Sequence, residues 1–456
     1  MQLRNLLVCL MAPACAFGAF KAGVGKRATT PDLGAGVAYM AGFDQGRAAT
    51  GIHDDLWARC VALEASNQVV LCSVDAIGLF LDDVLKVREL VKSKHPAAQV
   101  VVAATHVHEG PDTMGLWGSQ LGVSGIDERY NERVVKMTAE AAIEALDSLQ
   151  PARMRVAQTD PPSLKAFYDD SRPPVVIDST ITAFAFETVK GARIATLVHW
   201  TNHPEALGSK NTLITSDFVH YLRDEIEKNG GATAVFLNGA IGGMMSPLDA
   251  PIKDFETGEL APKDTFRFAE SVGRPAARVA LDALKTAQET PVDRLSYSET
   301  EVVIPVANKN YLMASAAGLF KGRKPMAGDP PVTRTRAGLF EMSAKGKPAV
   351  QAAMIPGELY PELSLGQIVR DPGADFPDAK LEPGIKSDLL KAAVRMVVGL
   401  ANDEIGYIIP KAQWDQKPPY TFGAAKQWYG EVNSVGPEAA PAIIEAVGAL
   451  VRQRNR

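Results

Sequence analysis

Cysteine is scarce in this chain of 456 residues, which holds only four. That excludes a small disulfide-stapled scaffold. Basic charge is not in excess either, because the formal net charge is −5. A nucleic-acid partner is therefore not expected. Beyond the N-terminus, no apolar run approaches the length of a membrane span. Internal repeats and long low-complexity tracts are absent. What is present is an ordinary globular composition, 46% hydrophobic and 22% charged, which allows a large core.

The chain opens "MQLRNLLVCLMAPACAFGAF". One arginine precedes a short apolar run, and small residues follow at "ACA". This is the shape of a secretory signal. Residues 1–19 are expected to be a signal peptide, residues 20–456 one large domain, and the product secreted or periplasmic. Cys9 and Cys15 would leave with the signal. Cys60 and Cys72 lie in two apolar runs joined at Ser66-Asn67. A two-residue turn there pairs Cys60 with Ser73 and puts the thiols on opposite faces. Two buried free thiols are expected, and a disulfide would need a shifted register.

The patterning predicts a mixed α/β chain. "LDDVLKVRELVKSKHP" has helical spacing and stops at a proline. "AQVVVAAT" is a continuous Val-rich run, suited to a strand buried on both faces. Strand, helix, strand in succession makes a crossover unit. "TITAFAFETVKGARIATLVHW" gives two strands about Lys190-Gly191. "SDFVHYLRDEIEKNGG" gives a helix capped by Ser216 or Asp217, and "ATAVFL" the next strand. A helix containing Pro275 follows, then strands at 294–306 and 348–355. "SDLLKAAVRMVVGLAND" is expected to be a long amphipathic helix. Residues 321–336 and 370–384 are rich in Pro, Gly and charge and are expected to be surface loops. The fold expected is a mixed β-sheet core with flanking helices, a single large catalytic domain with residues 385–456 packed onto it.

Three motifs each follow a predicted strand directly. His106 and His108 follow "VVVAAT". Asn202, His203 and Pro204 follow "IATLVHW". "NGAIGGMMSP" follows "ATAVFL". Loops beyond strand C-termini are where α/β proteins build sites, provided the strands run the same way. In an extended chain, residues i and i+2 share a side, so His106 and His108 can present two imidazoles to one metal ion. They can equally satisfy backbone groups at a strand end. His203 supplies a third imidazole. His199 is expected in a strand, His220 in a helix and His95 at a helix end, while His53 stays undecided. The glycine-rich stretch lacks the spaced lysine of a phosphate loop and the G-x-S-x-G elbow. Ser246 could act as a nucleophile only with a base or metal beside it, and a serine before proline is more often a turn residue.

Taken in order, "KAGVGKRATTP", "ATGIHDDLWARC", "AATHVHEGP", "HWTNHPEAL", "FLNGAIGGMMSP", "MIPGELYPE" and "ANDEIGYIIP" resemble the neutral/alkaline non-lysosomal ceramidases. Those are secreted or membrane-associated zinc amidases that split the N-acyl bond of ceramide. The resemblance runs from about residue 21 to the C-terminus, and the family's C-terminal β-sandwich domain has no counterpart in it. It implies a Zn2+ cofactor held by His106, His203, Glu358 and Tyr407. It implies His108 as a histidine that contacts substrate, and Ser246 as nucleophile or water-positioning group. The substrate implied is ceramide or a related N-acyl lipid. Two positions depart from the family pattern. Glu404 stands where the family has another tyrosine. Glu109 stands where it has a small residue, and a carboxylate near the mouth would repel anions or bind a cationic group. The departures leave two alternatives: the same zinc hydrolase acting on a different amide or ester, or a secreted binding protein without turnover.

Overall fold

The computed structural model describes residues 20–170, 172–321 and 323–454. The expected signal peptide at 1–19 lies outside them. The strands in chain order are β1 (Lys21–Ala28), β2 (Gly51–Ile52), β3 (Trp57–Glu64), β4 (Gln68–Val74), β5 (Ala98–Ala104), β6 (Gln150–Thr159), β7 (Ile181–Thr188) and β8 (Arg193–Trp200). They continue with β9 (Leu213–Ile214), β10 (Thr233–Asn238), β11 (Arg294–Pro305), β12 (Val332–Ala344), β13 (Lys347–Met354), β14 (Glu358–Leu359), β15 (Val394–Val398) and β16 (Tyr407–Ile408). The helices are α1 (Leu81–Lys92), α2 (Glu128–Asp147), α3 (Phe218–Gly230), α4 (Phe266–Thr286), α5 (Lys309–Ala316), α6 (Pro361–Leu365), α7 (Ile385–Asp388), α8 (Tyr429–Val432) and α9 (Ala439–Arg454).

Two sheets stack. The larger has the order β10-β8-β7-β6-β1-β3-β4-β5, the smaller β11-β12-β13-β15. Alternation along the strands sends side chains to two different cores. Val61, Leu63, Leu71, Phe184 and Leu197 face the second sheet, where Phe340, Met342 and Met354 meet them. Their neighbours Cys60, Ala62 and Val70 point the other way, under Val84 and Val87 of α1 and Val134 of α2. Helices α3 and α4 cover Ala185, Val198 and Phe236. On the far side, Ile443, Ile444 and Val447 of α9 cover Ile304, Leu339 and Val397. Each fully buried side chain of this kind contributes about 1.5–3 kcal/mol. The architecture is the expected mixed α/β one, with helices on both outer faces.

The β4-α1-β5 crossover unit is present, with β4 and β5 parallel. Counted through the sheet, however, β5 runs opposite to β8 and β10. Their ends meet all the same: the Asn238 amide at the end of β10 donates to the carbonyls of Thr105 (2.9 Å) and Asn202 (2.8 Å). The three loops therefore converge although their strands do not share one direction.

Three expectations are corrected. The turn after β3 holds three residues, because Glu64 pairs with Gln68; Cys60 then faces Cys72, and the two form a disulfide. One extra residue moves every side chain of β4 to the other face, so the free thiols expected here are bridged. The long helix expected over residues 387–403 is a short turn, α7, followed by strand β15. Val394, Val397 and Val398 are β-branched, and parallel pairing with β13 prevails over the helical spacing. The expected loop 321–336 is strand from Val332 onward, paired with β11. Residues 370–384 form a loop as expected. No helix among the described residues is long and apolar enough to cross a membrane.

Candidate metal centre

His106 begins the loop after β5 in the left-handed conformation, with φ +69°. Its backbone N–H donates to Ala76, and its Nδ1 to the carbonyl of Ile77 (2.6 Å). With Nδ1 fixed on the protein side, Nε2 turns inward, 3.5 Å from Glu358 Oε2. The pair of histidines is thus brought together by a turn and not by extended chain. Their ring centroids lie 4.9 Å apart, and the N–H of His108 donates to the carbonyl of Pro204.

His203 is tied the same way. Its Nδ1 donates to the carbonyl of Met245 (2.9 Å), and its Nε2 lies 3.2 Å from the same Glu358 oxygen. The two Nε2 atoms and one carboxylate oxygen converge on one point. Anchoring the outer ring nitrogen on a backbone carbonyl fixes tautomer and orientation, as metal-binding histidines require. His106, His108 and His203 also offer ligand atoms all within 4.8 Å of one another, so the three imidazoles can hold a metal ion. His108 differs from the other two in having neither ring nitrogen hydrogen-bonded to the protein.

Glu358 opens β14, which pairs in parallel with β16 so that Glu358 and Tyr407 are direct partners. The Tyr407 hydroxyl hydrogen-bonds the carboxylate. Ser246 is placed by the glycine-rich loop after β10. That loop packs flush on β14: a Cβ on Gly242 would lie 2.5 Å from the Tyr360 ring and 2.6 Å from the Glu358 carbonyl. Only glycine permits so close an approach. The Ser246 backbone exchanges hydrogen bonds with Asp169, and its hydroxyl reaches Glu205.

All six residues singled out from the sequence, His106, His108, His203, Ser246, Glu358 and Tyr407, are thus brought to one place, and all are buried. Burial holds the His106 imidazole down to about 4, so it is neutral and able to ligate. Burial also works to raise Glu358, but His106, His203 and the Tyr407 hydroxyl hold it below the usual carboxylate range. At His203, burial is outweighed by the hydrogen bond to Glu358 and the charge of Glu205, and the pKa rises. The Tyr407 phenol is pushed well up by burial and by the Glu358 charge.

Glu205 and Tyr429 carried no sequence signal of their own. Glu205 is buried with its Oε2 3.3 Å from His108 Nδ1. Tyr429 stands over Tyr407 with ring centroids 5.8 Å apart and half its surface exposed. Glu404 is buried beside Glu358; burial and that neighbouring charge hold its carboxyl well above the ordinary range. Glu109 is not at the mouth. It is completely buried behind the centre, 3.9 Å from Arg47, and burial raises its carboxyl strongly. The remaining histidines lie apart from the centre. His199 donates to the Val397 carbonyl, His53 and His220 share Asp54, and His95 meets Asp147.

Among known proteins, residues 20–240 match the family model "Neutral/alkaline non-lysosomal ceramidase, N-terminal". No curated protein matches the sequence. The fold matches the crystal structure of neutral ceramidase from Pseudomonas aeruginosa at a TM-score of 0.72 and 18% identity, covering 95% of this chain and 75% of that one. It also matches a ceramidase complexed with C2 at a TM-score of 0.69 and 17% identity, covering 95% and 76%. The part of the chain that carries His106, His108 and His203 is thus the part similar to the N-terminal region of the neutral/alkaline non-lysosomal ceramidases.

Proposed function

We propose that this protein is a zinc-dependent amidase that hydrolyses the N-acyl bond of ceramide or a related N-acyl lipid and releases a fatty acid. The observation that carries the reading is the convergence of His106 Nε2 and His203 Nε2 on one oxygen of Glu358, at 3.5 and 3.2 Å. Two imidazoles, a carboxylate and the Tyr407 phenol make a mixed N/O donor set suited to zinc. When bound, zinc polarises an amide carbonyl and lowers the pKa of water towards ~7. The chain supplies the rest. His106, His203, Glu358 and Tyr407 hold the ion. His108, with both ring nitrogens uncommitted, serves the reacting amide as donor or proton carrier. Ser246 acts as nucleophile or holds the attacking water.

Residues 20–456 work as one hydrolase domain in this reading, and residues 1–19 direct it out of the cytoplasm. The Cys60–Cys72 disulfide supports an oxidising compartment. The partner is a lipid or small molecule. A second reading keeps the centre and changes the substrate to another amide or ester. It is favoured by two buried carboxyls, Glu205 beside His108 and Glu404 beside Glu358.

The test is acyl release followed by mass spectrometry, with the purified chain, a panel of ceramides and other N-acyl compounds, and a zinc chelator. The expected outcome is release from ceramide that the chelator abolishes and added zinc restores. Release from another acyl compound alone would select the second reading. No release from any compound, with stoichiometric zinc bound, would refute catalysis and leave a binding protein.

A further inference from the structure

Glu205 lies two residues after His203 and is only 1% exposed. Burying an ionised carboxylate costs several kcal/mol unless polar partners receive it. Its partners are the two polar side chains of the centre that are not directed at the proposed ion. Its Oε2 lies 3.3 Å from His108 Nδ1, its Oε1 is buried without a hydrogen-bond partner, and the Ser246 hydroxyl is near enough to favour its charged form. The Oε2 and Nδ1 atoms face each other without a formed hydrogen bond.

The His108 ring is held by shape. Phe43 stands edge-on at 5.0 Å, and His106 and His203 at 4.9 and 5.8 Å. Both its nitrogens are buried without a hydrogen-bond partner. Apart from Glu205, no acceptor of the described residues is placed to decide which nitrogen carries the proton.

We propose that Glu205 is a positioning residue that joins Ser246 to His108, accepting the hydroxyl proton of one and the Nδ1–H of the other. His108 Nε2 is then the nitrogen left to face the reacting amide, taking up a proton and returning it as the proton carrier of the site. The Ser246 oxygen is held at a fixed orientation beside it. A carboxylate that sets a histidine tautomer is a general device for catalytic imidazoles. Here one carboxylate serves the imidazole and the hydroxyl together. The inference rests on the hydrolase reading for its catalytic consequence, but the hydrogen bonds themselves can be tested without a substrate.

Two measurements on the full chain decide it. The first is the tautomer of His108 by 15N NMR of histidine-labelled, zinc-loaded protein, assigned by its absence in His108→Gln. The Nδ1–H form is expected in the wild type, and its preference should be lost in Glu205→Leu. An Nε2–H form in the wild type overturns the proposal whether or not the Leu variant folds, and so does an unchanged tautomer in that variant. The second is the kcat and KM of Glu205→Gln and Glu205→Asp on whichever acyl compound the wild type hydrolyses. Glu205→Gln should lower kcat about 100-fold with KM within about threefold and zinc content unchanged, and Glu205→Asp should recover part of the loss. A loss confined to KM, or no loss, overturns the proposal. Failure of every compound refutes the hydrolase reading alone, and the NMR result still decides the positioning role.

Discussion

Glu358 and Tyr407 are direct register partners in a two-stranded parallel pair, and the phenol hydroxyl bonds the carboxylate. The shared backbone platform presents both groups to the same point as His106 and His203. Tyr407→Phe keeps the ring and its packing while removing one oxygen. Zinc affinity measured by competitive chelation should fall about tenfold, with the far-UV CD spectrum unchanged. An unaltered affinity would remove Tyr407 from the ligand set.

The histidines should separate by role. His106→Ala and His203→Ala each remove an Nε2 whose partner nitrogen is anchored on a backbone carbonyl. Both variants should lose stoichiometric zinc by elemental analysis, together with all hydrolysis. His108→Ala should keep its zinc and lose about 100-fold or more in kcat. Zinc lost from His108→Ala would show that the ion sits among the three imidazoles, another geometry these side chains permit.

Much of this centre was legible in the sequence because three Val- and Leu-rich strands each end in an unusual polar residue, His106, His203 or the Asn238 glycine loop. Glu358 and Tyr407 sit in segments without any such punctuation, and only family resemblance pointed to them. Glu205 and Tyr429 were invisible for a different reason. Their importance arises when they meet Ser246 and Tyr407, contacts that no local pattern encodes. The errors in the fold came from the same source. Leu389, Leu390, Val394, Val397 and Val398 fit a helical stripe, but the partner strand β13 settles them as turn and strand. A single additional turn residue at Ala65 reversed the reading of Cys60 and Cys72.

The disulfide closes a loop with a sequence separation of 12. Loop-closure entropy for a segment of that size gives about 3 kcal/mol. The double variant Cys60→Ala, Cys72→Ala should therefore unfold at lower urea, with ΔG reduced by about 3 kcal/mol, and the native protein should titrate no thiol at either position. A change below about 1 kcal/mol would show that the bridge does not hold β3 to β4 in solution.

Glu362 makes a separate prediction about pH. It is 3% exposed, and burial, with the Asp170 charge nearby, pushes its carboxyl up to about 8. The folded state therefore keeps a proton that the unfolded chain releases near its ordinary value. The stabilisation is complete below the unfolded pKa and is lost as pH rises towards the folded one, at up to ~1.4 kcal/mol per pH unit. Glu362→Gln is neutral at every pH. Its Tm should match the wild type near about pH 5 and exceed it increasingly up to about pH 8.5. A constant difference across that range would show that Glu362 is ionised in the fold.

Gly42 tests how tightly His108 is held. Its φ is +93°, and a Cβ there would lie 2.4 Å from His108 Cγ and 2.5 Å from Nδ1. The loop cannot retreat easily. Ala41 N–H donates to Gly110 (3.0 Å), and the Arg47 guanidinium clamps the carbonyls of both Ala41 and His108. In Gly42→Ala the imidazole must move, away from the position in which it meets Glu205. Gly46→Ala in the same loop is the control. Its φ of +77° carries similar strain, but its Cβ would meet only the Ser119 carbonyl, at 3.2 Å. Both variants should lose about 1–2 kcal/mol of stability from backbone strain. Only Gly42→Ala should also lose kcat, by about tenfold or more, with zinc content intact. Equal kcat losses in the two variants would trace the effect to the loop as a whole and not to the contact with His108.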